Sequence, residues 1–101
     1  MENSTIAEAE AEAELEDIIA INAGHSYKYA LDVLKRPFRK GENAIATDAE
    51  CSYKYARDVL KGPLKEGENA IATDAVFSYG YALDVLHLPN EEAGKWRTNR
   101  S

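Results

Sequence analysis

One nine-residue string, Gly-Glu-Asn-Ala-Ile-Ala-Thr-Asp-Ala, occupies Gly41 to Ala49 and returns unchanged from Gly67 to Ala75. It belongs to a longer period. Ser26-Tyr27, Ser52-Tyr53 and Ser78-Tyr79 recur every 26 residues, as do Asp32-Val33-Leu34, Asp58-Val59-Leu60 and Asp84-Val85-Leu86. Pro37, Pro63 and Pro89 keep the same step. The repeats are therefore 15–40, 41–66 and 67–92, followed by a tail over 93–101. Repeats 2 and 3 agree at 18 of 26 positions, so one supersecondary unit is built more than once. A fixed period in this range means stacked units that share a core, and three units are about the minimum for stability.

Each unit reads as two helices. In the second, Asp48 and Thr47 offer capping side chains, and Glu50 lies three residues beyond Thr47, a capping-box spacing. Tyr53, Ala56, Val59 and Leu60 then form one apolar helical stripe. Gly62-Pro63 is expected to end it, because proline disfavours helical geometry at the residue before it. The first helix is expected to be short, about two turns over Glu42 to Thr47, with Gly41 supplying the turn before it. The expectation is an all-α fold: a small α-solenoid of three helical hairpins, preceded by an acidic helix over 5–21.

That front helix carries the charge of the molecule. Residues 1–22 hold seven acids and no base, whereas the remainder, with 11 acids and 12 bases, is almost neutral. The run Ala-Glu-Ala-Glu alternates with period two, yet alanine and glutamate favour helix over strand. Thr5 and Glu8 have capping-box spacing. Like charges four apart (8/12, 10/14, 12/16) each cost about 0.2–0.5 kcal/mol, tolerable only on an exposed face. Glu8, Glu10, Glu12, Glu14, Glu16 and Asp17 are thus candidates for meeting a basic protein partner. No apolar run approaches the roughly 20 residues that span a bilayer. Met-Glu-Asn-Ser does not begin like a secretory signal, and the single cysteine, Cys51, suits a reducing compartment. A cytoplasmic protein is expected.

The pattern Tyr-x-Tyr-Ala-x-Asp-Val-Leu-Lys-Gly-Pro-x-x-x-Gly-Glu-x-x-Ile-Ala-x-Asp runs from Tyr53 to Asp74. Tyr27 to Asp48 keeps it with Arg36 in place of glycine, and a third copy from Tyr79 decays after Pro89. It resembles short tandem helical repeats of phage-encoded proteins of unassigned function. The resemblance implies a helical stack and a viral or mobile-element source, hence a host-cytoplasm setting; it implies no reaction.

No catalytic constellation is visible. Asp48, Ser52, Tyr55 and Asp58 recur 26 residues away, so they describe the unit rather than a site; Asp58 is expected to face solvent near Lys54 and Lys61. His25 and Cys51 share one register position with Phe77 and supply two metal ligands at most, fewer than a metal site needs. No cofactor motif is present. An enzyme would need a cleft that the sequence does not reveal.

Three differences between the copies point to interactions. Lys35, Arg36, Arg39 and Lys40 surround Phe38 and could contact phosphate, but the matching loops become less basic along the chain, which disfavours nucleic-acid binding. In repeat 3, Val76, Gly80, Leu83 and His87 replace Glu50, Lys54, Arg57 and Lys61 along one helical face, and Leu88 extends it. A terminal repeat should grow more polar, so this face calls for a cover: Trp96 of the tail, or a second copy in a homodimer. The expected function is non-enzymatic protein binding, either as an inhibitor or decoy acting through the acidic helix against a host protein such as nucleic-acid-binding defence machinery, in the manner of an anti-CRISPR, or as an assembly module joined through repeat 3.

Overall fold

The computed structural model describes residues 2–98, with side chains from Ala7 to Trp96. The described residues are helical throughout, with no strand among them. Helix α1 spans Glu2–Ile19, α2 Ala23–Lys28, α3 Glu42–Ile45, α4 Ala49–Tyr55, α5 Glu68–Ile71, α6 Ala75–Asp84 and α7 Asn90–Thr98. α2 and α4 continue as wider π-helical turns over Tyr29–Leu34 and Ala56–Leu60. α3 and α5 are each entered through a 3-10 turn, Arg39–Gly41 and Lys65–Gly67. The molecule is drawn out to 59 × 20 × 16 Å, with a radius of gyration of 16.1 Å. A compact chain of this length would have about 13 Å. The length comes from stacking and from α1, whose Ala7 to Leu15 are all exposed.

The period of 26 is the period of the stack. Asn22, Asp48 and Asp74 cap the long helices, each accepting a hydrogen bond from a first-turn backbone N–H. Glu50 plays no capping-box part: it pairs with Lys54 one turn later. Thr47 donates back to the Ala44 carbonyl instead of capping. α1 is already helical at Glu2, so Thr5 does not start it, and the side chain of Thr5 lies outside the described residues. The short helices are single turns, not two, ending at Ile45 and Ile71, and each follows a 3-10 turn.

The long helices end differently from expectation. The residue with left-handed backbone is Lys35, Lys61 or His87, at φ 54°, 54° and 58°; no glycine has positive φ. Lys35 and Arg36 both donate backbone N–H groups to Ala30, and Lys61 and Gly62 do the same to Ala56. This wide closure satisfies terminal carbonyls one residue before the position that glycine would normally take. It explains why Gly62 can be Arg36 or Leu88 in the other copies.

The core runs as columns through the units. Ser26, Ser52 and Ser78 are fully buried, as are Ala30, Ala56 and Ala82; Ile45, Ile71, Tyr55 and Tyr81 join them. Phe38 and Leu64 plug the loops between hairpins. Ser26 donates to the Ile19 carbonyl at the end of α1 and Ser52 to that of Ile45 at the end of α3. Gly41 and Gly67 lie directly on these serines. A Cβ at Gly67 would stand 2.8 Å from that of Ser52, so close approach, not turn geometry, requires glycine there. At the next step the chain has Ala93, buried within α7. α7 packs on α6, and Trp96 lies 5.6 Å from the ring of Tyr81.

Candidate interaction surfaces

Two ladders absorb most of the repeated polar residues. In the first, Tyr29, Tyr55 and Tyr81 donate to Glu16, Glu42 and Glu68 at 2.7, 2.6 and 2.7 Å. The Tyr55 and Tyr81 hydroxyls also accept the backbone N–H of Phe38 and Leu64 from the preceding loop. Burial, then the Glu42 carboxylate, drives the Tyr55 hydroxyl far above the ordinary tyrosine range. In the second ladder, Tyr27 donates to Asp58 at 2.7 Å, and Tyr53 donates to Asp84. These bonds join each unit to the next.

Asp58 does not face open solvent, although Lys54 and Lys61 lie near it as expected. It is half-buried and accepts from Tyr27 and from two guanidinium nitrogens of Arg57. Arg57 is the main reason that its carboxyl titrates below the ordinary aspartate range. Burial, then Asp58, pushes Tyr27 up to about 12. The groups that invited a catalytic reading are thus occupied in holding the stack together. Cys51 is pushed up to about 12, mainly by burial and then by Asp48, so at neutral pH it is a thiol and a poor nucleophile. Among the described residues, no three His, Cys, Asp or Glu side chains converge as a metal site. Nor is any described helix long and apolar enough to cross a membrane.

The acidic candidates divide into two groups. Glu16 is half-buried, bonded to Tyr29 and 3.7 Å from Lys40, and Asp17 lies 3.3 Å from Lys40. They fix α1 to the stack. The 26-residue step would have marked Glu16, since it aligns with Glu42 and Glu68. Glu8, Glu10, Glu12 and Glu14 are exposed along the projecting part of α1 and make no ion pair with any described residue.

The basic candidates divide as well. Arg39 pairs with Glu42 at 2.8 Å, and Lys40 with α1. Lys35 and Arg36 instead line an open groove of about 280 Å³ between the first two units. Ala30, Leu31 and Val59 give it an apolar lining; Lys61 is a third cation there, and Asp58 lies at its side. Lys61 was not among the sequence candidates. Its alignment with Lys35 on the adjacent long helix was the available signal.

The apolar face of repeat 3 is not one surface. Val76 is 74% exposed, but Leu83 and Leu88 are half-buried. Gly80 lies under the Tyr53 ring, where an added Cβ would meet ring atoms at 3.2 Å. The close approach there is by the chain's own second unit. Trp96 does fold back, onto Tyr81. No protein-family model, curated protein or solved structure matches the chain.

Proposed function

We propose that this chain is a non-enzymatic protein-interaction module whose acidic amino-terminal arm engages a basic surface on a protein partner. One observation carries this reading: the glutamates of α1 from Glu8 to Glu14 are exposed and make no ion pair with any described residue, whereas the ladder tyrosines of the stack are bonded to carboxylates of the same chain. The arm costs helix stability through like-charge repulsion, so it is poorly designed as a mere solvated end.

The finer reading is an inhibitor or decoy directed at a nucleic-acid-binding protein. Glu8 with Glu12 and Glu10 with Glu14 form two rows of negative charge on opposite sides of α1, about 6 Å apart within a row. A basic groove evolved for nucleic acid would meet such a row of negative charge there. The resemblance of the repeats to phage-encoded ones points in the same direction.

The test compares the protein with a variant carrying Glu8→Gln, Glu10→Gln, Glu12→Gln and Glu14→Gln in affinity capture from a cell extract. The native chain should retain basic, nucleic-acid-binding proteins and release them as salt is raised; the variant should not retain them. Equal retention by both chains would sink the proposal.

A further inference from the structure

We propose that the groove between the first two units receives the acidic arm of a second copy, so that two chains associate reciprocally, each arm in the other's groove. This rests on the arm being an interaction element, and it adds a receptor for it.

The groove is charged in a way that the chain itself does not resolve. Lys35, Arg36 and Lys61 line it, and no described carboxylate stands within ion-pair distance of any of them. Asp58 lies beside them, but its oxygens are taken by Tyr27 and Arg57. The neighbouring carboxylate therefore leaves the three cations available. Lys35 and Lys61 hold the same left-handed backbone at the ends of adjacent long helices, which sets them side by side at the groove. The next junction lacks this composition: the matching positions are Lys61, Gly62 and His87. The cationic site belongs to one place in the stack, although the scaffold repeats.

The complementary half is on the same chain and equally unanswered. Four exposed glutamates lie along α1 with no base among residues 1–22. Leu15 and Ile18, three residues apart on the same helix, are 53% and 65% exposed and offer apolar contact for the half-buried Leu31 and Val59. No glutamate of the arm forms an ion pair with Lys35, Arg36 or Lys61 of its own chain. Glu16 and Asp17, held by Tyr29 and Lys40, fix the root of α1, and the rest of the helix projects from there. A second chain supplies the pairing that is not made within one, and a two-fold arrangement satisfies both grooves at once.

Sedimentation equilibrium reads the outcome. At low salt the protein should have twice its 11.2 kDa mass, and it should return to 11.2 kDa at high salt. The groove variant Lys35→Glu/Arg36→Glu/Lys61→Glu and the arm variant Glu8→Lys/Glu10→Lys/Glu12→Lys/Glu14→Lys should each associate at least about tenfold more weakly. Mixed together, they should recover a heterodimer. Helicity by circular dichroism guards against misfolding; if reversal at Lys61 disturbs its helix end, Arg36→Gln/Lys35→Gln serves instead. A monomeric native chain at low salt, or dimers that survive both charge reversals, overturns the proposal. Capture of basic partners by the groove variant separates the two readings. If it still captures them while the native chain is monomeric, the arm works and the groove is not its receptor. If dimers form and no partner is captured, the arm serves self-association alone.

Discussion

Replacing Tyr55 by phenylalanine tests the packing logic of the whole stack with one oxygen atom. Tyr55 is fully buried, and its hydroxyl serves two groups at once. It donates to Glu42 at 2.6 Å and accepts from the Phe38 N–H at 3.0 Å. Its removal leaves a buried carboxylate short of a donor and a buried backbone N–H without an acceptor. A hydrogen bond to a charged group contributes about 1.5–3 kcal/mol, and the orphaned N–H adds about 1 kcal/mol. Glu42 keeps its bond from Arg39 at 2.8 Å, which offsets part of the loss. The net expectation is about 3 kcal/mol. At about 4–8 °C per kcal/mol for a domain of this size, the melting temperature should fall by roughly 12–24 °C. Thermal melts followed at 222 nm, with urea titrations for the free energy, provide the reading. An exposed control, Lys65→Ala, should stay within about 0.5 kcal/mol. A Tyr55→Phe protein that melts with the control would mean that water replaces the hydroxyl, and the ladder would not be the source of the stack's cohesion.

Two further substitutions probe the close approach and the second ladder. Gly67→Ala should cost about 2 kcal/mol by overpacking, since its Cβ would meet Ser52 and Leu64 at 2.8 and 3.0 Å; Gly62→Ala, with only the Leu60 carbonyl at 3.9 Å, should be close to neutral, and equal melting temperatures would refute the contact. Asp58→Asn should weaken the protein at neutral pH by losing the Arg57 interaction. Because the folded carboxyl titrates below its ordinary value, the stabilisation is present above the unfolded aspartate range near 4 and disappears as pH falls through the lowered folded value. The native and Asp58→Asn melting curves should therefore converge in acid; a constant gap down to strongly acidic pH would show that the charge is not what matters.

Periodicity made the architecture legible, and with it the caps Asn22, Asp48 and Asp74, because a 26-residue step and a short polar side chain before an apolar stripe have few other meanings. Tyrosines were harder to place. Tyr55 is polar in a sequence and lies at the centre of the core in the fold, since a phenol can bury its ring while its hydroxyl bonds Glu42 across 13 residues. Nothing local foretells that partner. The left-handed residue was missed for a related reason. Gly62 looks like the natural stop, but the π-helical widening moves the end of the helix to Lys61. Winding of that kind is set by packing against neighbouring units, which no single window of sequence contains.

The ladders also give the stack a direction, and that bears on where interactions arise. In the second ladder each bond runs from a tyrosine to the aspartate 31 residues later, Tyr27 to Asp58 and Tyr53 to Asp84. Asp32 occupies the same register in the first unit, is exposed, and has no earlier unit to receive from. At the far end α7 takes the register of α3 and α5, with Ala93 where Gly41 and Gly67 stand. Inner positions must satisfy neighbours on both sides, so a change at Gly41 is felt by Ser26, and a change at Tyr55 by Phe38. Positions that answer to only one neighbour are free to vary. The acidic arm and the basic groove both lie toward the first unit, where that freedom begins. Interaction chemistry on a repeat scaffold is therefore expected where the register is kept and the side chains differ, as at Arg36 against Gly62, rather than in the residues that the copies share.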